Sequence, residues 1–327
     1  MAHTAASTSP PTNCPVCNSS SLTRRFCVNG FDILQCEGCR FEFAWPIPSE
    51  EQLGKFYENS YVCGQEVSRR DFSQISLLNE IGKRKPSGRL LEIGCGKGLL
   101  LLEAKKRGYA AEGVELSPSS AAEARALSGV PIHCEALEAF TERQTRGSYD
   151  VVVARHVIEH LRDPAATLKV IHSLLRPGGL VALVVPNIRG LASRAFGRDW
   201  EWMCPPIHLH YFSAKSLRLS LTSLHFHDIK MRTRRGDAKN FYLAAGVAGI
   251  KKLGLDKGVR DLLAAPEASR PPSEIDPHPP QAIDTRSLPW RVAVSSTRLL
   301  YGLTFPLHWL TWIAGLGEQI EAFALAG

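Results

Sequence analysis

The chain has 327 residues, 44% hydrophobic and 22% charged, a balance that excludes a disordered, collagenous or heptad-built protein and suits one large α/β domain with a smaller unit. Lys and Arg total 39 against 32 for Asp and Glu, a formal charge of +7. That charge suits an anionic partner and leaves nucleic acid, nucleotide sugar and membrane surface all open.

Residues 1–13 are rich in Ser, Thr, Pro and Ala and read as a disordered tail, without the basic and apolar regions of a secretory signal. Four of the nine cysteines follow as CPVC (Cys14, Cys17) and CEGC (Cys36, Cys39), with eighteen residues between the pairs. Each short turn aims two thiolates at one point, and a hairpin between the pairs brings all four together, which predicts a zinc ribbon over 14–45. Four cysteines close the coordination of the ion, so the metal is expected to be structural. Cys27 sits between the pairs but outside their spacing, and Cys63, Cys95, Cys134 and Cys204 read as small buried residues. Such cysteine use predicts a reducing, cytoplasmic setting. Residues 46–88 read as a helical linker or cap.

From Arg89 to Arg234 the pattern alternates apolar runs with helical stretches, as in a parallel sheet with crossover helices. The strand Leu90 to Ile93 enters a turn carrying Gly94, Gly96 and Gly98, and the next helix closes on Lys105, Lys106, Arg107 and Gly108. Glycines at a strand-to-helix turn let the backbone turn sharply and a ligand approach the helix N-terminus. A GxGxxG dinucleotide motif fails because position 99 is Leu99, and a P-loop fails because Lys97 precedes Gly98. A second strand, Tyr109 to Glu115, ends in a carboxylate able to accept two ribose hydroxyls, with Ser117 and Pro118 opening the next helix. A third strand spans Val130 to Cys134. YDVVVARHVIEHLRDP supplies the fourth strand and a helical RHVIEHL segment, and LRPGGLVALVVPN supplies the fifth strand. The carboxyl ends of such strands face ligands, which places Ala154 to Glu159 and Pro186 to Asn187 in the cleft.

Glu92, Gly94, Gly96 and Gly98 together resemble the E/DxGxGxG motif of class I S-adenosylmethionine (SAM)-dependent methyltransferases. The resemblance implies an α/β Rossmann-like sheet. With Glu115 on the ribose and Glu135 toward the adenine, the expected cofactor set is Glu92, Gly94, Cys95, Gly96, Gly98, Glu115, Glu135 and Arg155. The run HLHYFS, with Ser213 capping the next helix, resembles the segment after strand five in zinc-ribbon methyltransferases of modified-sugar and polysaccharide pathways. Sugar C-methyltransferases carry YHEHxxYFS there. His208 matches its second histidine, whereas Ile207 and Pro205 replace the Glu and Tyr. CEGCRFEFAWPIPSEEQLGKFYENSY likewise resembles the ribbon-to-core link, with Tyr57 and Tyr61 toward the cofactor.

Methyl transfer from a sulfonium needs positioning and removal of one proton, and histidine is the usual base near neutrality. His208 is the first candidate and His156 the second, with His160 and His210 also in reach. Ubiquinone-type O-methyltransferases carry an EH pair that matches Glu159 and His160, but their metal-holding Glu three residues earlier is His156 here.

Leu224 to Thr233 reads as the sixth strand, and 317–327, containing GEQIEAFAL, as the last. The intervening 235–316 reads as a linker and apolar helical insertion. Its run 299–317 has nineteen residues without a formal charge. Tyr301, Trp309 and Trp312 suit an interface, which leaves open a packed or dimeric helix, a peripheral membrane contact and a span.

The expected function is transfer of a methyl group to a small-molecule or glycan acceptor, nucleotide-linked or lipid-linked, by O- or C-methylation. Two alternatives stand beside it. An RNA methyltransferase would use the ribbon and the basic cluster Lys230, Arg232, Arg234 and Arg235. Against this, ARHVIEH is not a base-gripping [DN]PP[YF] motif, so nucleic acid is disfavoured. The other is a non-catalytic SAM-binding module.

Overall fold

The computed structural model describes residues 11–54, 72–234 and 316–327. Tyr57, Tyr61, Cys63, most of the 235–316 insertion and the apolar run 299–315 lie outside the described residues. The described chain forms two compact units, one from 11–54, 186–213, 233–234 and 316–319, the other from 72–185, 214–232 and 320–327.

The first unit is built on a four-stranded sheet, β1 (Leu22–Val28), β2 (Phe31–Cys36), β3 (Glu42–Trp45) and β9 (His210–Tyr211), in that order. Asn29 and Gly30, at φ 50° and 79°, join β1 to β2, the Asn-Gly pair that tight antiparallel hairpins favour. β3 then pairs antiparallel with β9 through Glu42↔Tyr211 and Phe43↔His210. Ile188, Trp200, Met203 and Leu209 complete the core under Phe31 and Ile33. Residues 186–213, read from sequence as part of one continuous 89–234 core, group instead with the N-terminal four-stranded sheet. The cause is long-range pairing and a shared apolar core. Asn187 adds to it, its amide donating to the Glu318 carbonyl at 2.8 Å and its side chain to that of Gly317 at 2.7 Å.

The second unit is a seven-stranded sheet ordered β10-β11-β8-β7-β4-β5-β6. Its strands are β4 (Arg89–Ile93), β5 (Ala110–Glu115), β6 (Ile132–Cys134), β7 (Tyr149–Arg155), β8 (Leu175–Pro186), β10 (Phe226–Arg234) and β11 (Gln319–Ala326). β4 to β8 run parallel. Leu90, Val151, Val153, Leu180 and Ala182 are each at most 1% exposed, because a parallel sheet covered on both faces needs unbroken apolar runs. Strand β11 lies between β8 and β10, so the final segment closes the sheet beside the sixth strand of the core.

Helix starts follow the local chemistry read from sequence. Helix α1 (Phe72–Gly82) precedes β4, and α2 (Leu99–Lys106) starts from Gly98 in the left-handed conformation. Helix α3 (Pro118–Ser128) is capped by Ser117, with Pro118 in its first turn and Gly129 at φ 61° after its end. Helix α4 (Leu137–Glu142) follows β6, and α5 (Pro164–Leu174) is capped by Asp163, which accepts from the Ala166 amide at 2.9 Å. Helices α6 (Leu191–Phe196) and α7 (Ala214–Ser223) follow β8 and β9. One expectation fails here: RHVIEHL is a turn, not a helix. His156 at φ 51° breaks the run, and the next helix waits for Asp163 and Pro164.

Candidate functional site

β4 pairs with β5 on one side and β7 on the other, so the strand order reverses at β4. The crevice beyond the carboxyl end of such a strand is where open α/β sheets take ligands. Gly94, Gly96 and Gly98 stand there at φ 63°, 52° and 74°, a region that side chains rarely occupy. Their surroundings differ. A Cβ on Gly94 would lie 2.6 Å from Val157 Cγ2, and one on Gly98 would lie 3.0 Å from Ala124 Cβ and 3.2 Å from its carbonyl oxygen. A Cβ on Gly96 would meet nothing within 4 Å. Gly94 and Gly98 thus permit close packing, and Gly96 keeps a space open.

Glu115 ends β5 and is 8% exposed. The Gly96 amide donates to its Oε2 at 2.8 Å and the Ser117 amide to its Oε1 at 2.9 Å. Each oxygen keeps acceptor capacity, so the carboxylate is aimed and can still take two hydroxyls. Glu92 is 3% exposed, and its Oε2 has no hydrogen-bond partner among the described residues. Burial pushes its carboxyl up to about 8, against the pull of the Arg155 charge and with help from Glu115. Burial thus favours the protonated form of Glu92 over the charged one. A buried carboxyl with an orphaned oxygen suits a polar ligand.

Not every predicted residue faces the cleft by its side chain. Cys95 is packed in the core under Gly113, where an added Cβ would lie 2.8 Å from its Sγ, and burial raises its thiol pKa. Arg155 donates from Nη2 to Ser73 Oγ at 3.3 Å. Glu135 pairs with Arg143 and lies 4.0 Å from His133 Nδ1. Sequence reasoning passed over Leu116, 67% exposed directly after Glu115. An apolar residue following a strand-end acid was the available signal.

His156 follows β7, its amide bonded to the Val184 carbonyl at 2.8 Å. Its Nδ1 lies 3.1 Å from Oε1 of Glu159, whose side chain is fully buried. Donation from Nδ1–H to a carboxylate leaves Nε2 as the basic nitrogen. A positive φ on a non-glycine residue is uncommon and concentrates at functional positions.

In the first unit, Cys14 Sγ lies 3.7 Å from Cys39 Sγ and Cys17 Sγ 3.5 Å from Cys36 Sγ, with all four ligand atoms within 4.8 Å of one another. The two turns are built alike. The Asn18 amide bonds the Cys14 carbonyl at 2.9 Å and the Arg40 amide the Cys36 carbonyl at 2.8 Å. Asn18 and Arg40 stand at φ 58° and 61°. Ser213, expected to cap the following helix, donates its hydroxyl to the Cys39 carbonyl at 3.1 Å. His208 is 4% exposed, donates from Nδ1 to the Trp202 carbonyl at 2.8 Å, and stacks on the Trp202 ring at 5.5 Å and 14°.

Residues 67–229 match the family model described as a methyltransferase domain. A ubiquinone biosynthesis O-methyltransferase of Burkholderia vietnamiensis is 33% identical over 171 residues, 48% of this chain and 72% of that protein. This chain belongs to the class I SAM-dependent methyltransferases. A similarly named protein of Aeromonas salmonicida is 37% identical over 103 residues, 30% of this methyltransferase chain, and that match spans only 43% of the relative's length. A SAM-dependent methyltransferase from Archaeoglobus fulgidus aligns with a TM-score of 0.48 at 18% identity, covering 79% of this chain and 94% of the other. No helix among the described residues of the methyltransferase is long and apolar enough to cross a membrane.

Proposed function

We propose that this methyltransferase moves a methyl group from SAM to a hydroxyl of a small-molecule or glycan acceptor. The observation that carries the reading is the Glu115 carboxylate, fixed by the Gly96 and Ser117 amides at 2.8 and 2.9 Å beside the open space at Gly96. In this reading Glu115 holds the ribose, Leu116 offers an apolar face to the adenine and the orphaned oxygen of Glu92 meets a polar group of the cofactor. SAM, when bound, supplies the activated methyl.

The proton of the acceptor hydroxyl goes to Nε2 of His156, which Glu159 orients through Nδ1 and steadies once the imidazole is charged. His156 is preferred as the base because Glu159 lies 3.1 Å from its Nδ1 and orients the ring. His208, bonded and stacked against Trp202, then serves to hold the 202–211 turn. The relatives named as O-methyltransferases favour oxygen over carbon as the acceptor atom.

The four cysteines hold zinc in this reading. A tetrahedral ion with Zn–S bonds of about 2.3 Å sets sulfurs about 3.8 Å apart, and the pair distances of 3.7 and 3.5 Å suit that size. Incubation with methyl-labelled SAM and either cell-envelope extract or total RNA tests the acceptor class. Label in the extract's small molecules or glycans supports the reading, and label confined to RNA contradicts it.

A further inference from the structure

The cysteine turns and the run HLHYFS are joined by a continuous set of contacts within the first unit. Ser213, buried at the end of the run, donates its hydroxyl to the Cys39 carbonyl at 3.1 Å. Phe41, two residues past Cys39, is fully buried and stacks on His210 at 5.7 Å and 14°, with the Phe212 ring 5.1 Å away. The Cys36 amide bonds the Phe41 carbonyl at 2.8 Å, which ties that residue to the second cysteine turn. β3 extends the contact by pairing with β9, and the Ala44 amide bonds the Leu209 carbonyl at 2.8 Å. From β9 the set reaches the turn before it. The Tyr211 hydroxyl donates to the His208 carbonyl at 2.9 Å, and His208 Nδ1 donates to the Trp202 carbonyl at 2.8 Å.

β9 is two residues long, too short a pairing to order the turn by itself. The turn therefore leans on what lies behind β3, and that is the second cysteine turn. Arg40 stands there at φ 61°, a strained conformation for a non-glycine residue that persists only where its surroundings hold it. Four thiolates closing on one ion supply that hold, because the free energy of binding is then free energy of folding. The strands themselves have ties of another kind. The register of β1 on β2 passes from Arg24↔Leu34 to Phe26↔Ile33, which makes Arg25 the extra residue of a bulge. Bulges re-aim side chains, and Nη1 of Arg25 reaches both oxygens of the buried Glu42, at 2.8 and 2.9 Å. The Asn29–Gly30 turn and this ion pair hold the hairpin without a metal.

We infer that metal binding at the four cysteines sets the order of residues 202–213, a metal-dependent switch on the turn that carries His208. The inference rests on the zinc reading above. Cofactor binding stands apart from it, since the glycine loop and Glu115 are carried on β4 and β5 of the seven-stranded sheet.

The test follows hydrogen exchange by mass spectrometry in the full chain, zinc-loaded, stripped by a chelator under reducing conditions, and reloaded with zinc. Metal content and SAM affinity are measured on the same samples. Stripping should speed exchange in peptides covering 202–213 by about tenfold or more, leave the β1–β2 hairpin and β4 protected, and leave SAM affinity unchanged. Reloading should restore protection. Ser213→Ala should keep its zinc and still exchange about fivefold faster over 202–213, with Ser213→Thr restoring the slow rate. Loss of the ion with 202–213 still protected overturns the inference and leaves the zinc reading intact. Equal loss of protection in β4, or loss of SAM binding, also overturns it, because the metal then supports the whole chain. A wild-type chain that holds no zinc under reducing conditions, yet protects 202–213, overturns both readings.

Discussion

The Gly96 amide donates to Oε2 of Glu115 across 2.8 Å, tying the glycine loop to the end of the neighbouring strand. The carboxylate is therefore aimed before any ligand arrives, and the loop glycines have separable duties. Gly96→Ala adds a methyl to open space at φ 52°, so its strain should cost about 1 to 2 kcal/mol while SAM affinity falls sharply. Gly98→Ala forces a Cβ to 3.0 Å from Ala124 and should cost about 2 kcal/mol or more. Denaturant melts and SAM titrations of both variants check the division. Equal losses of stability would contradict it.

If His156 Nε2 takes the acceptor proton, His156→Ala should keep its SAM affinity and lose about 10² to 10⁴ in turnover, the usual share of a general base. His208→Ala should lower thermal stability by removing the bond to the Trp202 carbonyl and keep most of its turnover per folded molecule. Single-turnover rates with the true acceptor decide. A collapse in His208→Ala with His156→Ala unaffected reverses the assignment.

Glu92 gives a pH signature with a definite sign. Its folded carboxyl is pushed up to about 8, against about 4.3 for an unperturbed Glu, so the folded state keeps a proton that the unfolded state releases. Its contribution to stability therefore falls as pH rises from about 4.3 to about 8 and is constant outside that window. Glu92→Gln keeps the shape without the ionisation. It should match wild type near pH 4 and exceed it at pH 8 by on the order of 4 to 5 kcal/mol. Denaturant midpoints across this range measure the difference, and parallel curves would show that Glu92 is not the group.

Zinc ligation predicts about one metal ion per chain under reducing, chelator-free conditions. Cys36→Ser should lose the ion and lower the melting temperature, because binding free energy here is folding free energy. Ser213 reports on the same turn through its bond to the Cys39 carbonyl, and Ser213→Ala should destabilise by about 1 kcal/mol. Elemental analysis that finds well under half an equivalent removes the metal assignment.

Much of this was legible because it is local. The strand-turn-helix around Gly94 to Gly98, the Ser117–Pro118 and Asp163–Pro164 helix starts and the two CxxC turns each carry their instructions within a few residues. The rest depends on distant partners. β9 is two residues long, and its pairing of His210 with Phe43 leaves no periodic trace, so residues 186–213 looked like part of the core. The bulge at Arg25 is defined by its register on β2, which a single strand does not reveal. RHVIEHL has helical spacing, yet the His156 amide goes to the Val184 carbonyl on the neighbouring strand, and that tertiary bond outweighs propensity. Cys95 looked like a loop residue facing the cofactor because sequence does not say which way a turn residue's side chain faces.

The most direct test is calorimetric titration of SAM into the wild-type chain and into Glu115→Ala. Two hydroxyl bonds to a carboxylate are worth about 1.5 to 3 kcal/mol each. The account thus predicts measurable SAM binding by wild type and a loss of about a hundredfold or more in the variant, with an unchanged fold by circular dichroism. Equal SAM affinity in the two proteins would contradict the placement of the cofactor at the Gly96–Glu115 junction.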